Sequence, residues 1–193
     1  MKKALFITLV FSFILVVSCK TDKKENETKK EPEVEIVKTS MNNSEKLIIS
    51  LEPKNNSGAS GNIVFNEDNG KVTLTAVLSG LDEGEHAIHI HEKADCSSPD
   101  GKSTGGHWNP TAQPHGKWGV AEGYHKGDIG NFNANADGNG TITFSTDEWC
   151  IGCGDTTKDI LGKAIIVHQG VDDFVTQPTG AAGGRISCGG IIK

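Results

Sequence analysis

Three strand-like runs follow one another at Leu47–Leu51, Gly61–Asn66 and Lys71–Leu78, and the third alternates apolar and polar residues over Val72-Thr73-Leu74-Thr75-Ala76-Val77-Leu78. A period of two sends successive side chains to opposite faces of a sheet, so one face can be buried while the other meets water. Between runs stand Asp68-Asn69-Gly70, Asp82-Glu83-Gly84 and Asp137-Gly138-Asn139-Gly140, residue types that turn the chain. Further runs follow at His86–His91, Thr141–Phe144, Lys163–Val167 and Arg185–Ile192, and no stretch carries a helical period of useful length. The pattern predicts an all-β fold, an antiparallel sandwich or barrel of about eight strands. Two segments, 92–127 and 169–184, exceed hairpin length, and each follows a strand that carries histidine. Loops of that size without regular structure are usually functional.

The front of the chain is of another kind. Lys2 and Lys3 precede an apolar run from Ala4 to Val17 broken only by Thr8 and Ser12, too short to cross a bilayer comfortably and placed where a secretory leader belongs. It ends in Val16-Val17-Ser18-Cys19, which resembles the lipobox of bacterial lipoproteins. The reading is a signal peptide over 1–18 and lipid attachment at Cys19, in place of an ordinary leader or a short anchor with an incidental cysteine. Residues 20–46 carry seven basic and seven acidic side chains and hardly an aromatic. They are read as a disordered spacer, because they cannot bury enough apolar surface to offset the entropy of ordering. The folded domain is expected over 47–193. It holds ten basic and eighteen acidic side chains, a net of −8 with His neutral. That balance argues against a nucleic-acid partner, whose expected footprint is a basic surface.

All seven histidines lie in the domain. His89 and His91 stand two apart on a predicted strand, so their rings share a face opposite Ile88 and Ile90. His107, His115 and His125 fall in the first long loop, with Asp128 three residues beyond the last, and His168 ends an apolar strand. Three imidazoles and one carboxylate suit a closed four-coordinate zinc site, whereas an imidazole-rich set with an open position suits copper. Two metals are therefore expected, with His107 between the groups in sequence and able to bridge them if its ring loses both protons.

The segments Gly84–Glu92 (GEHAIHIHE), GGHWNP, PHG, YHKGDIGN, IIVHQGVDD and GGRISCG, in this order and spacing, resemble the copper-zinc superoxide dismutase family over essentially all of 47–193. The resemblance implies a Greek-key barrel, with His89, His91, His107 and His168 on copper and His107, His115, His125 and Asp128 on zinc. It implies that Asp172 joins His89 to His115 from behind the ligands, that His86 is structural, that Arg185 orients the substrate and that Cys96 pairs with Cys188. Thr179 is a candidate for narrowing the channel. The implied reaction converts the small anion superoxide to dioxygen and hydrogen peroxide, with His107 and Arg185 as catalytic residues. A non-catalytic copper- or zinc-binding or copper-delivery module on the same barrel is the alternative, and would be expected to lack a copper ligand or the arginine. A zinc hydrolase is disfavoured because nothing beside the site resembles a spare Glu base. Two features depart from the family: the second loop lacks the Glu and Lys cluster of the animal cytosolic branch, and Ala87-Ile88 stands where the family usually has Gly-Phe.

Cys150 and Cys153 have no counterpart in the family pattern. Their spacing admits a local disulfide, a redox pair or a soft-metal site, and export to an oxidising compartment favours the disulfide. The chain is thus expected to be exported and tethered through its lipid on the periplasmic or outer side of a cell envelope. The sequence leaves monomer and homodimer open.

Overall fold

The computed structural model describes residues 44–193. The leader, Cys19 and all but the end of the spacer lie outside the described residues. Eight strands account for the regular structure: β1 (Glu45–Pro53), β2 (Ser60–Asp68), β3 (Lys71–Ser79), β4 (Gly84–His91), β5 (Asp128–Ala134), β6 (Gly140–Thr146), β7 (Ala164–His168) and β8 (Arg185–Gly190). They form a closed barrel in the order β1-β2-β3-β6-β5-β4-β7-β8, and every pairing is antiparallel. The chain leaves β3 to enter β4 on the far side of β6 and β5, the crossover of a Greek key. The all-β barrel expected from the sequence is what forms.

Local chemistry explains the pairing. In β3, Val72, Leu74, Ala76 and Leu78 are buried while Lys71 and Val77 are exposed, as period two requires. Asn69 and Gly70 both take positive φ, 50° and 76°, between the paired Asp68 and Lys71. Two left-handed residues match the twist of the flanking strands, which is why Asn-Gly closes this hairpin. Phe65, Leu74, Ile88, Ile90, Ile165 and Val167 meet inside the barrel. In β7, Ala164 and Ile166 face outward, yet both are fully buried with Cys188, and Cys96 packs against them. The first long loop is pinned over that face by a Cys96–Cys188 disulfide, whose Cα atoms are 5.9 Å apart.

The structure corrects the sequence reading in three places. A strand that the sequence pattern did not predict, β5, begins at Asp128, directly after the first long loop. The last strand ends at Gly190, two residues short of Ile192. The first starts at Glu45, inside the segment read as spacer. A third long connection, 147–163, joins β6 to β7, and the two expected ones, 92–127 and 169–184, are present, with one turn of 3-10 helix at Lys102–Thr104 in the first. These two are laid against the outer face of β4 and β7, and residues 86–91 are buried on both sides.

Candidate metal centre

Because β4 is buried on both faces, its two sets of side chains meet different environments. His86, Ile88 and Ile90 point into the barrel, where the His86 Nδ1–H donates to the His168 carbonyl at 2.9 Å and Nε2 lies 2.9 Å from the Asp82 carbonyl. Both ring nitrogens of His86 are thus taken up by carbonyls, one on β7 and one in the β3–β4 connection, and neither faces the loops. His89 and His91 point outward and are completely buried under the loops. The backbone at His107 and Trp108 runs beside β4: His107 bridges to His91, Trp108 N–H donates to the Ile90 carbonyl (2.8 Å) and Ile90 N–H donates to the Gly127 carbonyl (2.9 Å). A side chain at Gly127 could not be accommodated, since its Cβ would lie 2.2 Å from the Ile90 oxygen. These contacts carry a loop histidine to the strand pair.

Two groups of four result. His89, His91, His107 and His168 each place one ring nitrogen within 4.8 Å of the others, and His107, His115, His125 and Asp128 do the same with three rings and a carboxylate. All seven residues are buried, and His107 belongs to both groups. The rings of His89 and His107 are 4.0 Å apart, and those of His107 and His115 5.3 Å.

The hydrogen bonds divide each ring into a held side and a free side. His89 Nε2 donates to Asp172 Oδ2 and His115 Nε2 donates to Asp172 Oδ1, both at 2.8 Å. His91 Nδ1 donates to the Gly105 carbonyl (3.0 Å) and His168 Nδ1 to the Gly183 carbonyl (3.3 Å). The remaining nitrogens are buried without a hydrogen-bond partner among the described residues: Nδ1 of His89, His115 and His125, and Nε2 of His91, His107 and His168. Burying six such acceptors unpaired is costly unless something else satisfies them. Their convergence is what a pair of cations requires, so the residues fit a two-metal centre. His115 Nδ1 and His125 Nδ1 stand 3.0 and 3.2 Å from Asp128 oxygens without hydrogen-bond alignment, close enough to share an ion with them.

Electrostatics separate the two groups. Burial, then the neighbouring imidazoles, holds His91 and His168 well below the usual histidine range. Burial dominates at His107 as well, which is lowered to about 4 against the opposing pull of Asp128. Neutral imidazoles are the form that binds a metal. Burial alone would raise the Asp128 carboxyl, but the adjacent His107, His115 and His125 rings and the His125 backbone N–H outweigh it and keep Asp128 ionised far below its ordinary range. At His115 burial is likewise overcome, here by Asp128 and Asp172, and the ring is raised to about 9. A proton on His115 Nδ1 therefore competes with a cation beside Asp128. Asp172 is wedged so closely that a Cβ at Gly180, where φ is +65°, would fall 1.8 Å from its Oδ1.

Beside the first group lies a cavity of about 80 Å³ lined by His91, His168, Thr179, Ala182, Gly183 and Arg185. Arg185, at the start of β8, is half-buried, and its Nη1 donates to the Gly101 carbonyl (2.9 Å) and to Thr104 Oγ1 (3.0 Å). The sequence did not point to Thr104 or Gly101. Their partner is 81 residues or more away, and nothing local marks either as holding a guanidinium. Neither Lys163, which lies over the Trp108 ring, nor Lys126, which pairs with Glu148, lines this cavity. Cys150 is joined to Cys153 in the β6–β7 connection.

Comparison with known proteins agrees with this geometry. The chain is similar to a double mutant of a SOD-like protein from Bacillus subtilis, with 30% identity, a TM-score of 0.67, and 76% of this chain and 97% of that one covered. It is also similar to the SOD-like protein from Bacillus subtilis itself, with 29% identity, a TM-score of 0.67, and 75% and 97% covered. Residues 59–191 match the family model described as copper/zinc superoxide dismutase (SODC). Since that match takes in seven of the eight strands, both long loops, the seven residues of the paired groups and Arg185, the chain belongs to the copper/zinc superoxide dismutase family.

Proposed function

We propose that the chain is a superoxide dismutase that binds copper at His89, His91, His107 and His168 and zinc at His107, His115, His125 and Asp128. The observation that carries this is His107, a single ring belonging to both groups, with Nε2 free on the first and Nδ1 2.8 Å from Asp128 Oδ1 on the second. Bound copper would supply the one-electron chemistry, accepting an electron from one superoxide and giving it to another, while zinc keeps its charge throughout. Two superoxide ions and two protons then give one dioxygen and one hydrogen peroxide. The protein's own part is positional. His107 Nε2 is the atom at which the chain can hold and return a proton, since His107 alone belongs to both groups and its Nδ1 stays beside Asp128 when Nε2 is free. Asp172 fixes the tautomers of His89 and His115 together, so neither ring can turn without disturbing the other. Arg185, anchored by Gly101 and Thr104, presents a fixed cation at the small cavity, where it orients a diatomic anion. The non-catalytic alternative expects a missing copper ligand or arginine, and all four histidines and Arg185 are in place.

A domain of net charge −8 should repel superoxide on average. Carboxylates beyond a Debye length of about 8 Å are largely screened at physiological salt, so the local positive field decides. This family is itself a standing example of electrostatic steering and of turnover at the diffusion limit. Arg185→Ile is expected to slow superoxide consumption at least tenfold, ~1.4 kcal/mol, with both metals retained. Added salt should slow the parent more than the variant. Equal rates across a salt series at verified metal content would show that Arg185 does not steer.

We also propose export and lipid attachment at Cys19, which places the enzyme on the outer side of a membrane. The support is the apolar run ending in Val16-Val17-Ser18-Cys19. Cys19→Ala is expected to abolish labelling by a radioactive fatty acid; a labelled variant would mean that another residue is the acceptor.

A further inference from the structure

The end of the first long loop that carries His125 has almost no regular structure of its own, yet it is gripped from the β6–β7 connection on both sides of that histidine. Tyr124 Oη donates to Glu148 Oε1 at 2.6 Å, and Lys126 Nζ pairs with Glu148 Oε2. Trp149 Nε1 donates to the Lys126 carbonyl at 2.9 Å. Trp149 is fully buried, packed against Phe144 (5.1 Å between ring centres) and Trp118 (5.7 Å), and Trp118 in turn packs against Tyr124 (4.7 Å). Glu148 and Trp149 therefore hold the residues before and after His125, and among the described residues their side chains make no hydrogen bond to its ring or to Asp128.

The connection that supplies them is itself braced. Trp149 is followed at once by the Cys150–Cys153 disulfide. Ile151 N–H donates to Glu67 Oε2 on β2 (2.7 Å), Cys150 N–H to the Lys158 carbonyl (2.9 Å), and Ile160 N–H to the Cys150 carbonyl (3.1 Å). Asp159 accepts the Gly152 and Gly154 N–H groups across the same turn, at 2.9 and 3.0 Å. A cross-link spanning three residues closes too short a loop to act mainly on the unfolded chain. Its position is better matched to fixing the turn next to Trp149.

We propose that Glu148 and Trp149 are positioning residues for the zinc ligand His125, held in place by the Cys150–Cys153 disulfide, so that retention of the ion depends on a clamp outside the ligand set. The proposal rests on the assignment of His107, His115, His125 and Asp128 as a zinc site. Groups that orient ligands from behind typically contribute a factor of 10 to 100 in metal affinity.

The test uses the full chain, copper-loaded and free of zinc, titrated with Co²⁺ against a competing chelator while the visible cobalt bands are recorded. Glu148→Gln keeps the shape and removes the charge; Trp149→Phe keeps an aromatic ring in the core and removes the donor. Each is expected to weaken cobalt binding roughly tenfold or more and to shift the bands, with copper binding unchanged. The double variant Cys150→Ser/Cys153→Ser should weaken binding in the same direction. Variants that melt earlier but bind cobalt with the parent's affinity and spectrum would reduce Glu148 and Trp149 to packing and overturn the clamp. Parent affinity in the double serine variant would remove the disulfide from it. A parent chain that takes up no cobalt would overturn the zinc site itself, a separate result from loss of the clamp.

Discussion

Replacing His107 by alanine is expected to lower superoxide consumption by at least about a hundredfold, ~2.7 kcal/mol in barrier terms, and to disturb both metal spectra together. The size follows from what one ring does in two places. Its removal takes a nitrogen from each group, and it also removes the atom at which the chain holds a proton next to the first. No other side chain can substitute, because His89, His91 and His168 each have their second nitrogen committed to Asp172 or to a backbone carbonyl. The fold should survive, since the backbone bond from Trp108 to Ile90 does not involve the ring. The check is metal content, copper and cobalt-for-zinc spectra, and rate on one preparation. A zinc-site spectrum identical to the parent's, beside an altered copper spectrum, would defeat the bridging assignment.

The second large effect is on stability. Cys96→Ser/Cys188→Ser is expected to cost about 4 to 5 kcal/mol in the chain-entropy view, less where the unfolded chain keeps residual order. The magnitude comes from the 92-residue separation between the two cysteines, which leaves the unfolded chain many more conformations once the link is gone. The consequence should extend to the site. Cys96 opens the loop whose Gly101 and Thr104 anchor Arg185, and Cys188 lies three residues beyond Arg185 on β8. Activity at fixed metal content should therefore fall along with stability. Reversible denaturant unfolding of parent and variant measures the first effect. A loss below about 1 kcal/mol would show that packing of the loop on Ala164 and Ile166 holds it without the bond.

Most of the barrel could be read from alternation and turn residues, because one face of each early strand is wet and the other dry. β5 escaped for a physical reason. Its core-facing Phe132 and Ala134 alternate with Asn131 and Asn133 and follow a glycine, so that segment has the composition of a loop. Asp128 was a candidate ligand from its spacing to His125 alone, without a strand to carry it. β4 and β7 were visible as apolar runs, but their outward faces are covered by loops, and no local pattern says what covers them. The two-apart spacing of His89 and His91 put both rings on one face, and the structure places them there. What local reasoning could not supply was any pairing over distance: Arg185 with Gly101 and Thr104, or Trp149 with Lys126. Tertiary hydrogen bonds of this kind leave no periodic trace in a chain.

The central claim is that these residues form a catalytic copper and zinc centre and not merely a pair of binding sites. Stopped-flow measurement of superoxide disappearance tests it, comparing the chain loaded with both metals against the same chain loaded with zinc alone. Rapid, copper-dependent loss is expected, with a rate constant approaching the diffusional ceiling of about 10⁸ to 10⁹ M⁻¹s⁻¹. Superoxide that decays at its spontaneous rate, with copper and zinc both verified in the protein, would contradict the claim and leave the non-catalytic metal-binding module in its place.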